Sequence, residues 1–294
     1  MPPSKLQIWL LACRPKTLTA AIGPVLMGTA MAFGDGIHHF PTALWCLAGA
    51  LSVQIGTNLA NDYFDFKHGV DTPERLGPVR VTQAGLLKPG EILAGGIFFF
   101  GLCAYIAYHL IQRGGTPITI IAVTAILSGI LYTAGPKPLG YLGLGDIFVF
   151  IFFGPVAVAG TYYAQSLEIN PAVILAGISP GLFSVAILCI NNLRDMDTDR
   201  KTGKNTLAVR FGKSFAQTEY LFCIIAAALA PVFLFMFMND HMSILFSSLT
   251  CLMAIPAFKA VLDQPEGQAL NEVLAFTGKL LLIFSILFSV GWVL

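Results

Sequence analysis

Residues 171–200 read PAVILAGISPGLFSVAILCINNLRDMDTDR. The uncharged part is long enough to cross the hydrocarbon core of a bilayer as one helix. It closes on Asn191, Asn192, Arg194, Asp195, Asp197 and Asp199. Polar and acidic groups gathered at one end of such a span are costly, and they persist where they pair, bind an ion or line a wet cavity. A second span, 43–63, closes in the same way on Asn58, Asn61, Asp62 and Asp65. The shared spacing Asn58-x-x-x-Asp62 and Asn191-x-x-x-Asp195, four helices apart, suggests an internal repeat whose equivalent helices meet across one cavity.

Working outward, further apolar runs predict spans near 17–35, 91–112, 117–134, 146–165, 215–238, 242–262 and 272–294. The expected fold class is therefore all-α, a polytopic membrane protein of about nine helices forming one domain over 1–294. Composition agrees, with 56% hydrophobic and only 11% charged residues, against about a quarter charged in soluble proteins. Lys5, Arg14 and Lys16 lead directly into the first long span, so no cleavable leader is expected.

The net charge of +1 conceals an asymmetry. Lys67, Arg75, Arg80 and Lys88 fall in the second connection, Lys137 in the fourth, Arg194, Arg200, Lys201, Lys204, Arg210 and Lys213 in the sixth, and Lys259 and Lys279 about the eighth. Only Arg113 lies on the other side. The positive-inside rule then places the amino terminus and both acidic motifs in the cytoplasm and the carboxyl terminus outside. The six cysteines form no Cys-x-x-Cys pair and read as packing residues. His38, His39, His109 and His241 read as exposed or interfacial groups rather than metal ligands.

If each helix continues through its motif, Asn58, Asp62 and Asp65 share one face at i, i+4, i+7, and Asn191, Asp195 and Asp199 share one at i, i+4, i+8, while Asp197 turns away. Facing carboxylate clusters repel unless cations lie between them. Magnesium suits Asp62, Asp65, Asp195 and Asp199, because it takes hard oxygen ligands and is completed by substrate phosphates. Neither motif follows a calcium-binding loop, and no cysteine or histidine pairing suggests zinc. Arg75, Arg80, Lys137, Lys201 and Lys204 stand where a diphosphate gaining charge as it leaves would need donors.

With these residues in view, the chain resembles the UbiA superfamily of intramembrane prenyltransferases over nearly its full length. The likeness rests on the two aspartate-rich motifs after the second and sixth spans. Residues 14–18 (RPKTL), 77–85 (GPVRVTQAG), 131–141 (LYTAGPKPLGY) and 206–212 (TLAVRFG) are similar to the branch that prenylates 1,4-dihydroxy-2-naphthoate in menaquinone synthesis. Asp146 stands where that branch leads us to expect glutamate, and Gly69 where many 4-hydroxybenzoate enzymes carry another aspartate.

The resemblance implies helices around a central cavity with a cytoplasmic cap and a lateral opening, in the bacterial inner membrane. It implies two magnesium ions, a polyprenyl diphosphate and an aromatic acid as partners, with no nucleic acid. Asp62, Asp65, Asp195, Asp199, Arg80 and Lys137 would ionise the diphosphate. Asn58, Asn61, Asn191, Asn192, Arg75, Lys201, Lys204, Tyr132, Tyr141 and Gln83 would bind substrate. Another aromatic acceptor, 4-hydroxybenzoate or homogentisate, remains an alternative, as does an ion-coupled transporter. Phe98, Phe99, Phe100, Phe150, Phe152 and Phe153 are expected mainly to pack or face lipid.

Overall fold

The computed structural model describes residues 3–71, 76–263 and 267–294. Helix α1 (Lys5–Cys13) starts at a reciprocal cap between Ser4 and Gln7 and stops at Arg14, whose φ of 52° is left-handed. After a 3-10 turn at Pro15–Thr17, α2 (Thr19–Gly34) sets off at a 55° bend. Helix α3 (Phe40–Lys67) runs unbroken through its acidic end.

Helix α4 (Pro89–Leu131) covers two of the predicted spans and turns at Gly115 (φ 62°, ψ −145°), a conformation open to glycine. Its halves double back. Phe100 from the first and Gly129 from the second meet each other and the Gly56–Thr57 level of α3. Among the described residues, seven helices, or eight with the bent α1–α2 pair, are long and apolar enough to cross a membrane. The expected count of nine depends on reading α4 as two spans.

The next two predicted spans are broken. Helices α5 (Gly145–Phe153) and α6 (Pro155–Ser166) divide at Gly154, and α7 (Pro171–Ala176) and α8 (Ile178–Lys201) divide at Gly177. The breaks cross each other, since a β-carbon on Gly154 would lie 2.6 Å from Gly177 O, and one on Gly177 2.5 Å from Pro155 Cα. Glycine permits the backbones to approach this closely, which is how membrane helices gain packing in the absence of a hydrophobic drive. Helices α9 (Leu207–Phe211) and α10 (Lys213–Met238) follow. A 3-10 stretch at Met242–Leu249, α11 (Thr250–Met253) and α12 (Ile255–Leu262) form one bent span, and α13 (Gly267–Val293) ends the chain.

The core is centred on α2, α8, α10 and α13, where Met27, Met31, Phe183, Tyr220, Phe284, Phe288 and Trp292 are fully buried. The most apolar window of the span containing α8 is 67% buried and that of α4 only 11%, so α4 is an outer, lipid-facing wall. All six cysteines are free. His39 Nδ1 bonds Thr42, His109 stacks on Trp45 and His241 on Trp292.

Candidate functional site

A cavity of about 380 Å³ opens among α2, α3, α4, α5, α6 and α8. Its polar end carries Asp65, Arg80, Tyr141, Asp199 and Lys204; its apolar end is formed by groups such as Val25, Cys46, Leu110 and Ile118. The aspartates reach that end because α3 and α8 persist as helices through their motifs. Asn58, Asp62 and Asp65 are all buried on one face, as are Asp195 and Asp199, while Asp197 is exposed.

At the end of α3, Asp62 accepts from two backbone amides, Val81 N (3.1 Å) and Thr82 N (3.2 Å). It thereby fastens the turn that begins at Arg80. Asp65 Oδ2 takes Arg80 Nη2 at 2.8 Å, and Asp65 Oδ1 accepts the Tyr141 hydroxyl at 2.7 Å. Burial, with the Asp65 carboxylate beside it, pushes the Tyr141 phenol far above its ordinary pKa, so it remains a proton donor. Arg80 Nε lies 3.4 Å from Asp71 Oδ2, and Arg80 Nη1 is buried without a hydrogen-bond acceptor.

At the end of α8, Arg194 holds Asp195 in a two-point grip, Nε to Oδ1 at 2.8 Å and Nη2 to Oδ2 at 2.6 Å. The same guanidinium donates to Asn191 Oδ1 (2.6 Å) and Asn271 Oδ1 (2.8 Å), and Asn271 Nδ2 reaches Leu76 O (2.9 Å). Helix α8 stops at Gly203 (φ 78°), and Lys204 N returns to Asp199 O at 2.9 Å. This turn brings Lys204 Nζ to 3.8 Å from Asp199 Oδ1 and 3.9 Å from Asp65 Oδ2, above the Tyr141 ring at 5.0 Å. The two motifs therefore converge on one ammonium group. Asn205 N to Tyr141 O and Arg210 Nη2 to Leu142 O lock the neighbouring turns together.

The other expected residues divide by position. Asn58, Asn61, Asn191, Asn192 and Tyr132 line the cavity. Of these, Asn58 donates to Cys13 O (3.0 Å) and Thr17 Oγ1 (3.1 Å), so its amide group holds the α1–α2 break, and Asn61 accepts from Thr133 (2.9 Å). Asp62 and Asp195 do not line the cavity; backbone amides and Arg194 occupy their oxygens instead. Lys137 and Lys201 are exposed and Gln83 half-buried, and none of the three lines the cavity. Arg75 lies outside the described residues. Phe152 and Phe153 line the cavity, correcting the packing expectation for those two, whereas Phe98 is 64% exposed. The sequence reading missed Asp71, Arg194 and Asn271 as partners; each is separated in sequence from what it touches or had been counted only as loop charge. Among the described residues, no three of His, Cys, Asp and Glu come together as a metal cage.

A profile of the UbiA prenyltransferase family matches residues 21–288. The chain is 36% identical to the 1,4-dihydroxy-2-naphthoate octaprenyltransferase of Escherichia coli, over 98% of this chain and 96% of that protein. It is 35% identical to the Mycobacterium tuberculosis protein of the same name, over 95% and 94%. It is 31% identical to human UbiA prenyltransferase domain-containing protein 1, over 97% and 83%. In fold it is similar to a UbiA homolog from Archaeoglobus fulgidus bound to GPP and Mg2+, with a TM-score of 0.68, 17% identity, and 97% and 99% of the two chains covered.

Proposed function

Because this chain belongs to the UbiA prenyltransferase family, we propose that it transfers a polyprenyl group from polyprenyl diphosphate to 1,4-dihydroxy-2-naphthoate. The prenyl group replaces the carboxylate on the ring, diphosphate and CO2 leave, and the product is the reduced, quinol form of demethylmenaquinone. The observation that carries this reading is the convergence of Asp65 and Asp199, from two separate helices, on Lys204 at the mouth of an apolar cavity. The acceptor follows from the enzymes of that name that match nearly end to end.

The residues fit magnesium. Two cavity-facing carboxylates offer hard oxygens, and the lack of a third acid among the described residues suits an ion completed by substrate phosphates. Asp65 and Asp199 would hold it, and when bound it supplies positive charge to the breaking carbon–oxygen bond. Two ions, one for each motif, is the stoichiometry we expect. The remaining work belongs to side chains. Arg80 Nη1, a buried donor without an acceptor, is stabilised by a phosphate oxygen that accepts from it. Lys204 stands ready to follow the charge that gathers on the departing diphosphate. Tyr141 keeps Asp65 oriented. Phe148, Phe152 and Ile187 exclude water from the allylic cation until the electron-rich ring attacks it.

A purified, bilayer-reconstituted preparation given polyprenyl diphosphate and magnesium tests this directly. Offered dihydroxynaphthoate, 4-hydroxybenzoate and homogentisate in parallel, it is expected to prenylate the first, read by mass spectrometry; a product from either of the others alone refutes the acceptor. Substrate accumulating in sealed vesicles without a covalent product would instead indicate transport. We further place the chain as one catalytic domain in the bacterial inner membrane, with the acidic ends of α3 and α8 cytoplasmic. Cysteines substituted at Lys201 and at His38 should then be labelled from opposite sides.

A further inference from the structure

We propose that Arg14 binds the carboxylate of the aromatic acceptor. The inference rests on the reaction assigned above, in which an aromatic acid must share the cavity with a diphosphate. A carboxylate in so apolar a space needs a cation with matched hydrogen-bond geometry, and a guanidinium offers two parallel donors. Three cationic side chains line the cavity, Arg14, Arg80 and Lys204. Arg80 and Lys204 both stand beside Asp65 at the polar end, where the diphosphate would lie. Arg14 stands on another wall, at the break between α1 and α2.

Its backbone is unusual. A φ of 52° is unfavourable for a residue with a side chain, and such conformations survive where the surroundings over-determine them. Here they do. Arg14 N bonds Leu11 O (3.1 Å), Thr17 Oγ1 bonds Arg14 O (3.0 Å), and Asn58 from α3 grips the flanking Cys13 O and Thr17 Oγ1 at 3.0 and 3.1 Å. The first acidic motif thus begins with an asparagine that fixes Arg14. Asn58 precedes Asp65 by seven residues, roughly 10 Å along α3 at 1.5 Å per residue. The break that carries Arg14 is thus held about that far along α3 from Asp65, on the cavity wall away from the diphosphate end.

Arg14→Gln and Arg14→Lys, in reconstituted protein, test the assignment. Fluorescence titration would give Kd for dihydroxynaphthoate and for 1,4-dihydroxynaphthalene, which lacks the carboxylate, and steady-state assays the KM of each substrate. Arg14→Gln is expected to weaken the carboxylated ligand about ten- to a hundredfold. Binding of the diol and KM for the prenyl diphosphate should change by no more than about twofold, so discrimination between the two naphthols collapses. Arg14→Lys, retaining charge without the fork, should fall between, and it carries the comparison if the glutamine variant does not fold. An equal loss for both naphthols, or a raised KM for the diphosphate alone, overturns the proposal. Wild-type protein that makes no product from dihydroxynaphthoate would refute the reaction itself rather than the role of Arg14.

Discussion

At the end of α3, Asp62 accepts from the backbone of the following connection, some twenty residues on, while Asp65 faces the cavity and meets Arg80. At the end of α8, Asp195 is gripped by its immediate neighbour Arg194, while Asp199 faces the cavity beside Lys204. In both motifs the earlier aspartate fixes a cation-bearing segment and the later one looks inward. The difference lies in reach. The α3 motif clasps a distant turn whose Val81 also packs in a cluster with Leu59 and Ile92; the α8 motif is pinned within its own helix and extends through Arg194 and Asn271 to Leu76 O. Similar sequence spacing thus serves a long-range clasp in one place and a local one in the other.

The comparison can be broken most severely at the inward pair. Asp199→Asn should lower kcat about a hundred- to a thousandfold with little change in Tm, measured by product formation and thermal unfolding in the same detergent; Asp65→Asn should lower kcat as far and also lower Tm, because it removes a buried partner of Arg80. Removing the local clasp should instead be felt in stability. Arg194→Met leaves the Asp195 carboxylate buried without its cation, a loss of about 3–5 kcal/mol, and adding Asp195→Asn should restore part of it. Equal effects on both acidic pairs would erase the distinction between them.

The long-range clasp should respond more gently. Asp62→Asn keeps one acceptor oxygen but loses charge, so we expect about a tenfold rise in KM for the prenyl diphosphate and faster hydrogen exchange at residues 80–84. Exchange unchanged there would show that Asp62 does not hold the Arg80 turn. At the small end, Asp197→Ala, on the exposed face of α8, should alter stability by no more than about 0.5 kcal/mol and leave turnover intact.

Much of this was legible in the residues. Apolar length located the spans, and helical spacing correctly separated Asp199 from Asp197, because α8 does continue to Lys201. Spacing could not show which aspartate oxygens were already occupied. Asp62 and Asp65 share a face, yet which of them meets the cavity depends on where the chain carrying Val81 and Thr82 returns. The same limit applies to Lys137, whose basic charge in a turn rich in glycine and proline gave no sign that it would be exposed, and to Asn58, which bonds the α1–α2 break. Hydropathy also passes smoothly over Gly154 and Gly177, since a break inside an apolar run changes direction without changing composition.

The shallow burial of α4 has a thermodynamic consequence for substrate choice. Its second half, with Ile121, Ala125 and Gly129, faces the cavity on one side, and exposed Ile120, Val123 and Leu127 face acyl chains on the other. A single helix layer thus separates the cavity from the acyl chains, so an isoprene leaving the cavity on that side would pass between media of nearly equal polarity. Binding free energy is then expected to level off with tail length.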